Sequence, residues 1–186
     1  GQLFDTYWLI EFEDSFYMMD QHAAHEKILY ERLMKQFHEK TYHSQMIMPP
    51  VILTLSLREE QILKENWKTF TALGYEIEEF GGKEYKVTGL PAELPTVIDC
   101  KQLLIELIDT IADESATHDP ERITEKVASM SCKAAVKGNN RLSFKEAEEL
   151  MRELMEAENP YNCPHGRPTL IKMTKYEIER KFKRIL

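Results

Sequence analysis

The sequence predicts an α+β fold in two lobes, one built from both ends of the chain and one inserted between them. Three observations predict it. Short aromatic or apolar runs bounded by turn residues read as strands. Longer stretches with apolar residues three or four apart, opened by Ser or Asp caps, read as helices. Between the first and last of these lies a complete set of strand, hairpin and helix signals of its own, from about Gln45 to Asp119.

Gly1-Gln2-Leu3-Phe4 leads into a strand-like start, as an excised domain would. Asp5 to Phe12 and Ser15 to Met19 form a hairpin turning on Glu13-Asp14. From Gln21 to about His38 the period becomes helical, with Ile28, Leu29, Leu33 and Phe37 on one stripe and Asp20 at the N-cap. His43 to Pro50 ends that helix, and Pro49-Pro50 forces an extended segment before a short strand, Val51 to Leu55. Ser56 and Glu59 make a capping box for a helix that turns Leu63, Trp67 and Phe70 inward and stops at Gly74. Tyr75 to Phe80 and Lys83 to Thr88 flank the hairpin signal Gly81-Gly82. Asp99 caps a helix with Leu103, Leu104, Leu107, Ile108 and Ile111 on one face. A further helix runs through Val127 and Met130 to Cys132, and Ser143 with Glu146 opens another that buries Ala147, Leu150, Met151 and Leu154. A strand from Thr169 to Met173 and a helix ending at Phe182-Lys183-Arg184 complete the order. The lobes divide as 1–44 with 120–186, and 45–119.

At 186 residues, 42% hydrophobic and 30% charged, the chain can bury a real core, and no apolar run approaches a membrane span. Three cysteines do not make a disulfide framework, and reduced thiols can serve as metal ligands; Cys100 reads as a small buried residue. The net charge of −8 is uneven: residues 132–186 hold 12 Lys/Arg against 8 Asp/Glu, and the acidic surplus lies upstream. That bias permits phosphate contact but not tight binding to nucleic acid by itself.

The chemistry concentrates in two segments, Asp20-Gln21-His22-Ala23-Ala24-His25-Glu26 and Cys163-Pro164-His165-Gly166-Arg167-Pro168. His22 and Glu26, four residues apart, are about 40° apart around a helix and can reach one ion. Cys163 and His165 offer a thiolate and an imidazole on a stiffened loop, and Cys132 is a fifth candidate donor. Such a set suits zinc, with manganese as the harder alternative. Asp20 either caps the helix or orients a ligand or a water, and the two roles are compatible. His25 is turned off the His22/Glu26 face towards the surface or a substrate, and Glu31 reads as a salt-bridge or supporting residue. A zinc-peptidase motif is excluded because Leu29 stands where its second His is needed. His38, His43 and His118 read as surface residues.

Asp20, Gln21, His22, Ala23, Glu26 and Glu31 together resemble the first motif of the C-terminal endonuclease domain of MutL mismatch-repair proteins. Ser131-Cys132-Lys133 matches a second motif with Ser in place of Ala, Cys163 to Pro168 a third in full, and Phe182-Lys183-Arg184 a fourth. The resemblance spans almost the whole chain in the family order. It implies a nicking enzyme for double-stranded DNA, stimulated by Mn2+ and modulated by Zn2+. His22, Glu26, Cys132, Cys163 and His165 would hold metal, Asp20 would be essential, and Lys133 and Arg167 would meet DNA or support the loop. It also implies that 1–44 and 120–186 form a homodimerisation lobe and 45–119 a regulatory lobe. A sliding clamp would be met through Ser44 to Pro50, in a register using Ile47 and Pro49 or one using Gln45, Met48 and Pro50. A mismatch-recognition protein would be met through the full-length protein, at the nucleoid in the cytoplasm and with no membrane. Two other readings stand beside it. One is a non-catalytic dimerisation module with a structural zinc. The other is a cysteine hydrolase using Cys163 and His22, which leaves Glu26 and Cys132 without roles.

Overall fold

Residues 7–12 and 15–20 form the first hairpin because both runs are apolar on each face and the chain reverses at Glu13, in the left-handed region at φ +52°. In the computed structural model, which describes residues 1–95, 98–113, 120–136 and 141–185, these strands are β2 (Tyr7–Phe12) and β3 (Ser15–Asp20). The hairpin and the α+β class are as expected. β1 (Gln2–Leu3) and β7 (Leu170–Thr174) complete an antiparallel sheet in the order β1-β2-β3-β7. A second antiparallel sheet, β4-β6-β5, comprises β4 (Ser44–Thr54), β5 (Glu76–Gly81) and β6 (Glu84–Pro91). The helices are α1 (Gln21–Glu39), α2 (Leu57–Glu65), α3 (Trp67–Ala72), α4 (Cys100–Asp113), α5 (Pro120–Val136), α6 (Phe144–Glu156) and α7 (Lys175–Lys181).

The chain divides into two compact units, residues 1–28 with 136–186, and residues 29–135. The divisions fall inside α1 and at the end of α5, whereas the sequence pattern sets them at 44/45 and 119/120.

In the first unit, Trp8, Met19, Ala24, Ile28, Ala147, Leu150 and Leu154 form the core, so α1 and α6 cover one face of the sheet. Successive strand residues point to opposite faces. The paired row Trp8–Met19–Leu170 therefore faces this core, and the adjacent row Leu9–Met18–Ile171 faces away from it. Phe16 pairs with Met173 in a second outward row. Strands apolar on both faces need cover on both.

The second unit holds a larger core around Leu53, Leu63, Phe70, Tyr75, Val87, Leu104, Leu107 and Ile108. All five apolar residues expected on one face of α4 are buried there. Two elements differ from the pattern reading. The helix opened by the Ser56/Glu59 capping box breaks at Asn66, because the Asn66 side-chain amide donates to Ile62 O at 2.9 Å and competes with the helix ladder. Leu63 and Phe70 are buried as expected and Trp67 is half-buried. Pro49-Pro50 does not separate two segments: β4 runs through them, and the prolines sit where the ladder to β6 is interrupted between Met46 and Val51. β4 is an edge strand, where a missing N–H is tolerated. Gly74 (φ +94°), Gly81 (φ +119°) and Gly82 (φ +59°) take the conformations that the helix stop and the hairpin demand.

Candidate metal centre

The first turn of α1 is fastened before any metal chemistry is considered. Asp20 Oδ1 accepts the N–H groups of His22 at 2.9 Å and Ala23 at 3.1 Å, which makes Asp20 the N-cap. Gln21 N–H donates to Thr6 O at 3.0 Å, and its buried side-chain carbonyl accepts from Trp8 Nε1 at 3.3 Å. Pattern reasoning assigned Gln21 no role; the signal was a polar residue beside the cap that the helix buries.

The Cys/His loop is shaped by its own backbone. Cys163 N–H donates to Arg167 O at 2.8 Å, and Gly166 N–H to Cys163 O at 2.9 Å, with Gly166 at φ +77°. Thr169 N–H donates to Tyr161 O, and Asp20 N–H donates to Thr169 O at 2.9 Å, which ties the loop's exit to the head of α1. β7 then continues along β3.

This places Glu26 of α1 against the loop. The Glu26 carboxylate, Cys163 sulfur and His165 imidazole each offer an atom within 4.8 Å of the others, the one such group among the described residues. Glu26 and Cys163 are buried and His165 is exposed. His165 Nδ1 lies 3.3 Å from Glu26 Oε2. Two ligands each about 2.1 Å from one tetrahedral ion are about 3.4 Å apart, so this spacing suits a shared cation. Carboxylate, thiolate and imidazole together fit zinc and leave coordination positions open.

Arg167 is the contact that pattern reasoning did not find. Its guanidinium donates to Glu26 Oε2 at 2.6 Å, and that bond raises its already high pKa further. His22 is half-buried one turn before Glu26 and stands outside the three-donor group. His25 is half-buried rather than at the surface; burial lowers its imidazole pKa, and Glu153 of α6 is a nearby acid. Cys132 and Lys133 lie on α5 of the other unit, Cys132 fully buried and Lys133 exposed. Beside them, buried Ser131 donates to Val127 O at 2.6 Å and meets the Tyr75 hydroxyl at 2.6 Å, which accommodates a hydroxyl where the family motif has Ala. Cys100 is buried at the start of α4, and desolvation pushes its thiol up to about 11. His38 and His43 are exposed, and His118 lies outside the described residues.

Residues 1–142 match the family model described as the MutL C terminal dimerisation domain. The chain belongs to the MutL family. DNA mismatch repair protein MutL of Agathobacter rectalis is 55% identical over the whole of this chain, which covers 28% of that protein. The MutL proteins of Caldanaerobacter subterraneus subsp. tengcongensis and Clostridium perfringens are 40% and 38% identical, again over the whole chain and over 31% and 27% of their own length. The chain thus spans roughly three-tenths of the MutL relatives it matches. The family-model match ends before the Cys/His loop, whereas the alignments to these relatives extend across it.

Asp20 separates two roles experimentally. Asn caps a helix about as well as Asp, so Asp20→Asn is expected to unfold within a few tenths of a kcal/mol of the parent, while Asp20→Ala loses about 1 kcal/mol. Urea unfolding followed by circular dichroism measures both. Equal losses in the two variants would show that the charge, not the cap, stabilises this end of α1.

Proposed function

We propose that this chain acts in DNA mismatch repair as the C-terminal domain of a homodimeric MutL and is a divalent-cation-dependent endonuclease that nicks double-stranded DNA. The convergence of Glu26, Cys163 and His165 from two distant segments carries the reading. These three would hold the cation, with His22 as a further ligand. Zn2+ or Mn2+ there would polarise a phosphoryl oxygen and make a bound water more acidic. Asp20, whose Oδ1 is occupied by two helix amides, would accept at Oδ2 the proton of the attacking water as the oxygen–phosphorus bond forms. The bridging oxygen then leaves, taking a proton from solvent.

Family membership supports dimerisation, and the outward row Leu9–Met18–Ile171, with Phe16 and Met173 beside it and Glu11 at its rim, supplies a largely apolar face of the kind a second copy would cover. Lys133 and Arg167 would contact DNA. A sliding clamp would be met at Ser44 to Pro50. Ser44 Oγ and the Gln45 amide are engaged within their own unit, with Gly74 O and with the Pro91 and Leu94 carbonyls, and Ile47 packs on its core. Met46 and Met48 are exposed to a partner. A mismatch-recognition protein would be engaged through the full-length protein, at the nucleoid. Among the described residues no helix is long and apolar enough to cross a membrane.

The test is nicking of supercoiled plasmid with Mn2+ and sliding clamp, comparing the parent chain with Glu26→Gln and Asp20→Asn after each is shown to fold. Nicking by the parent and loss of at least about a hundredfold in both variants is the expected result. Equal nicking by all three removes the assignment. A parent that never nicks, yet unfolds when zinc is chelated, favours the structural-zinc module.

A further inference from the structure

The Arg167 guanidinium engages one of the three donor groups of the candidate metal centre, donating to Glu26 Oε2 at 2.6 Å. Glu26 and Cys163 are each only 4% exposed, whereas the Arg167 side chain is half exposed. A buried carboxylate requires a counter-charge, and the planar guanidinium fork provides one matched to it. The backbone beneath is tied down, since Arg167 O accepts the Cys163 N–H. The charged head can therefore turn out to solvent on its aliphatic stem while the loop stays in place.

We infer that Arg167 is an internal competitor of the divalent cation: it neutralises Glu26 when no ion is bound, and on ion binding it is displaced to the solvent side, where it is free to meet a phosphate oxygen. The inference rests on the metal-site reading above. Its sign is distinctive. A guanidinium within a few ångströms of a divalent ion repels it, so removing the charge strengthens ion binding. A residue that only held Glu26 in place would weaken binding when removed.

Calorimetric titration of the chain with zinc alone reads that sign. Arg167→Gln, which keeps a side-chain donor without the charge, is expected to bind about tenfold more tightly than the parent. Arg167→Lys should stay near the parent, and Glu26→Gln should bind more weakly. Unchanged or weaker affinity in a folded Arg167→Gln, with the parent binding zinc through Glu26, overturns the inference and leaves the metal site standing. Zinc binding that is absent throughout, or indifferent to Glu26→Gln, removes the metal site and the inference together. A second measurement needs only the folded parent and an assignment. In nitrogen-detected spectra, the Arg167 guanidinium signal, identified by its loss in Arg167→Lys, should shift from a hydrogen-bonded to a solvent-exchanging state as zinc is added. A signal that stays put while zinc binds overturns the proposal.

Discussion

Glu26→Lys is expected to cost the first unit about 3–5 kcal/mol and to lower its melting temperature by roughly 12–40 °C. Glu26 is 4% exposed, and its Oε2 receives both the Arg167 guanidinium and the approach of His165 Nδ1. Lysine there places a second cation in a desolvated position next to the first and removes the only carboxylate in the group. Glutamine is gentler: an amide oxygen still accepts from Arg167, so Glu26→Gln should lose about 1–3 kcal/mol. Thermal unfolding by circular dichroism distinguishes the two. If the lysine variant melts within a degree or two of the parent, the Glu26–Arg167 pair is not the buried interaction described here. The contrast bears on function, since lost nicking in the lysine variant alone reports unfolding as readily as chemistry.

Met18→Glu is the second large effect, this time on assembly. Met18 sits between Leu9 and Ile171 in the outward row of the first sheet, while its neighbour Met19 is fully buried on the inward side. A twofold dimer that covers this face meets the substitution twice. Each buried carboxylate without a partner costs about 2–3 kcal/mol, so dimer dissociation should rise by roughly a thousandfold or more. Sedimentation at micromolar concentration should show the parent as a dimer and the variant as a folded monomer. A variant that dimerises like the parent would place the interface elsewhere.

Much of this was legible in the residues. Runs such as Trp8-Leu9-Ile10 and Phe16-Tyr17-Met18-Met19 are apolar at every position, and that pattern states that both faces of a sheet need cover. Ser56/Glu59 and Ser143/Glu146 announced their helix starts, and both capping boxes are formed. Thr174 with Glu177 carries the same signature and forms a third box at the start of α7. Two breaks depart from the pattern because they turn on local competition that periodicity does not register. Asn66 interrupts a helix whose apolar spacing continues past it, and Pro49-Pro50 are accommodated within an edge strand.

Most strand and helix positions, and the set of donors available to a cation, are written in the local residue pattern. Which donors meet was decided by the tertiary structure. Glu26 lies 139 residues from His165 and 141 from Arg167. They touch because β7 pairs with β3 and because Asp20 N–H binds Thr169 O, which brings the loop to the head of α1. The Arg167 contact could not be read from the motif, because an exposed arginine in a loop has no periodicity and gains its partner only when the far end of the chain folds back beside it.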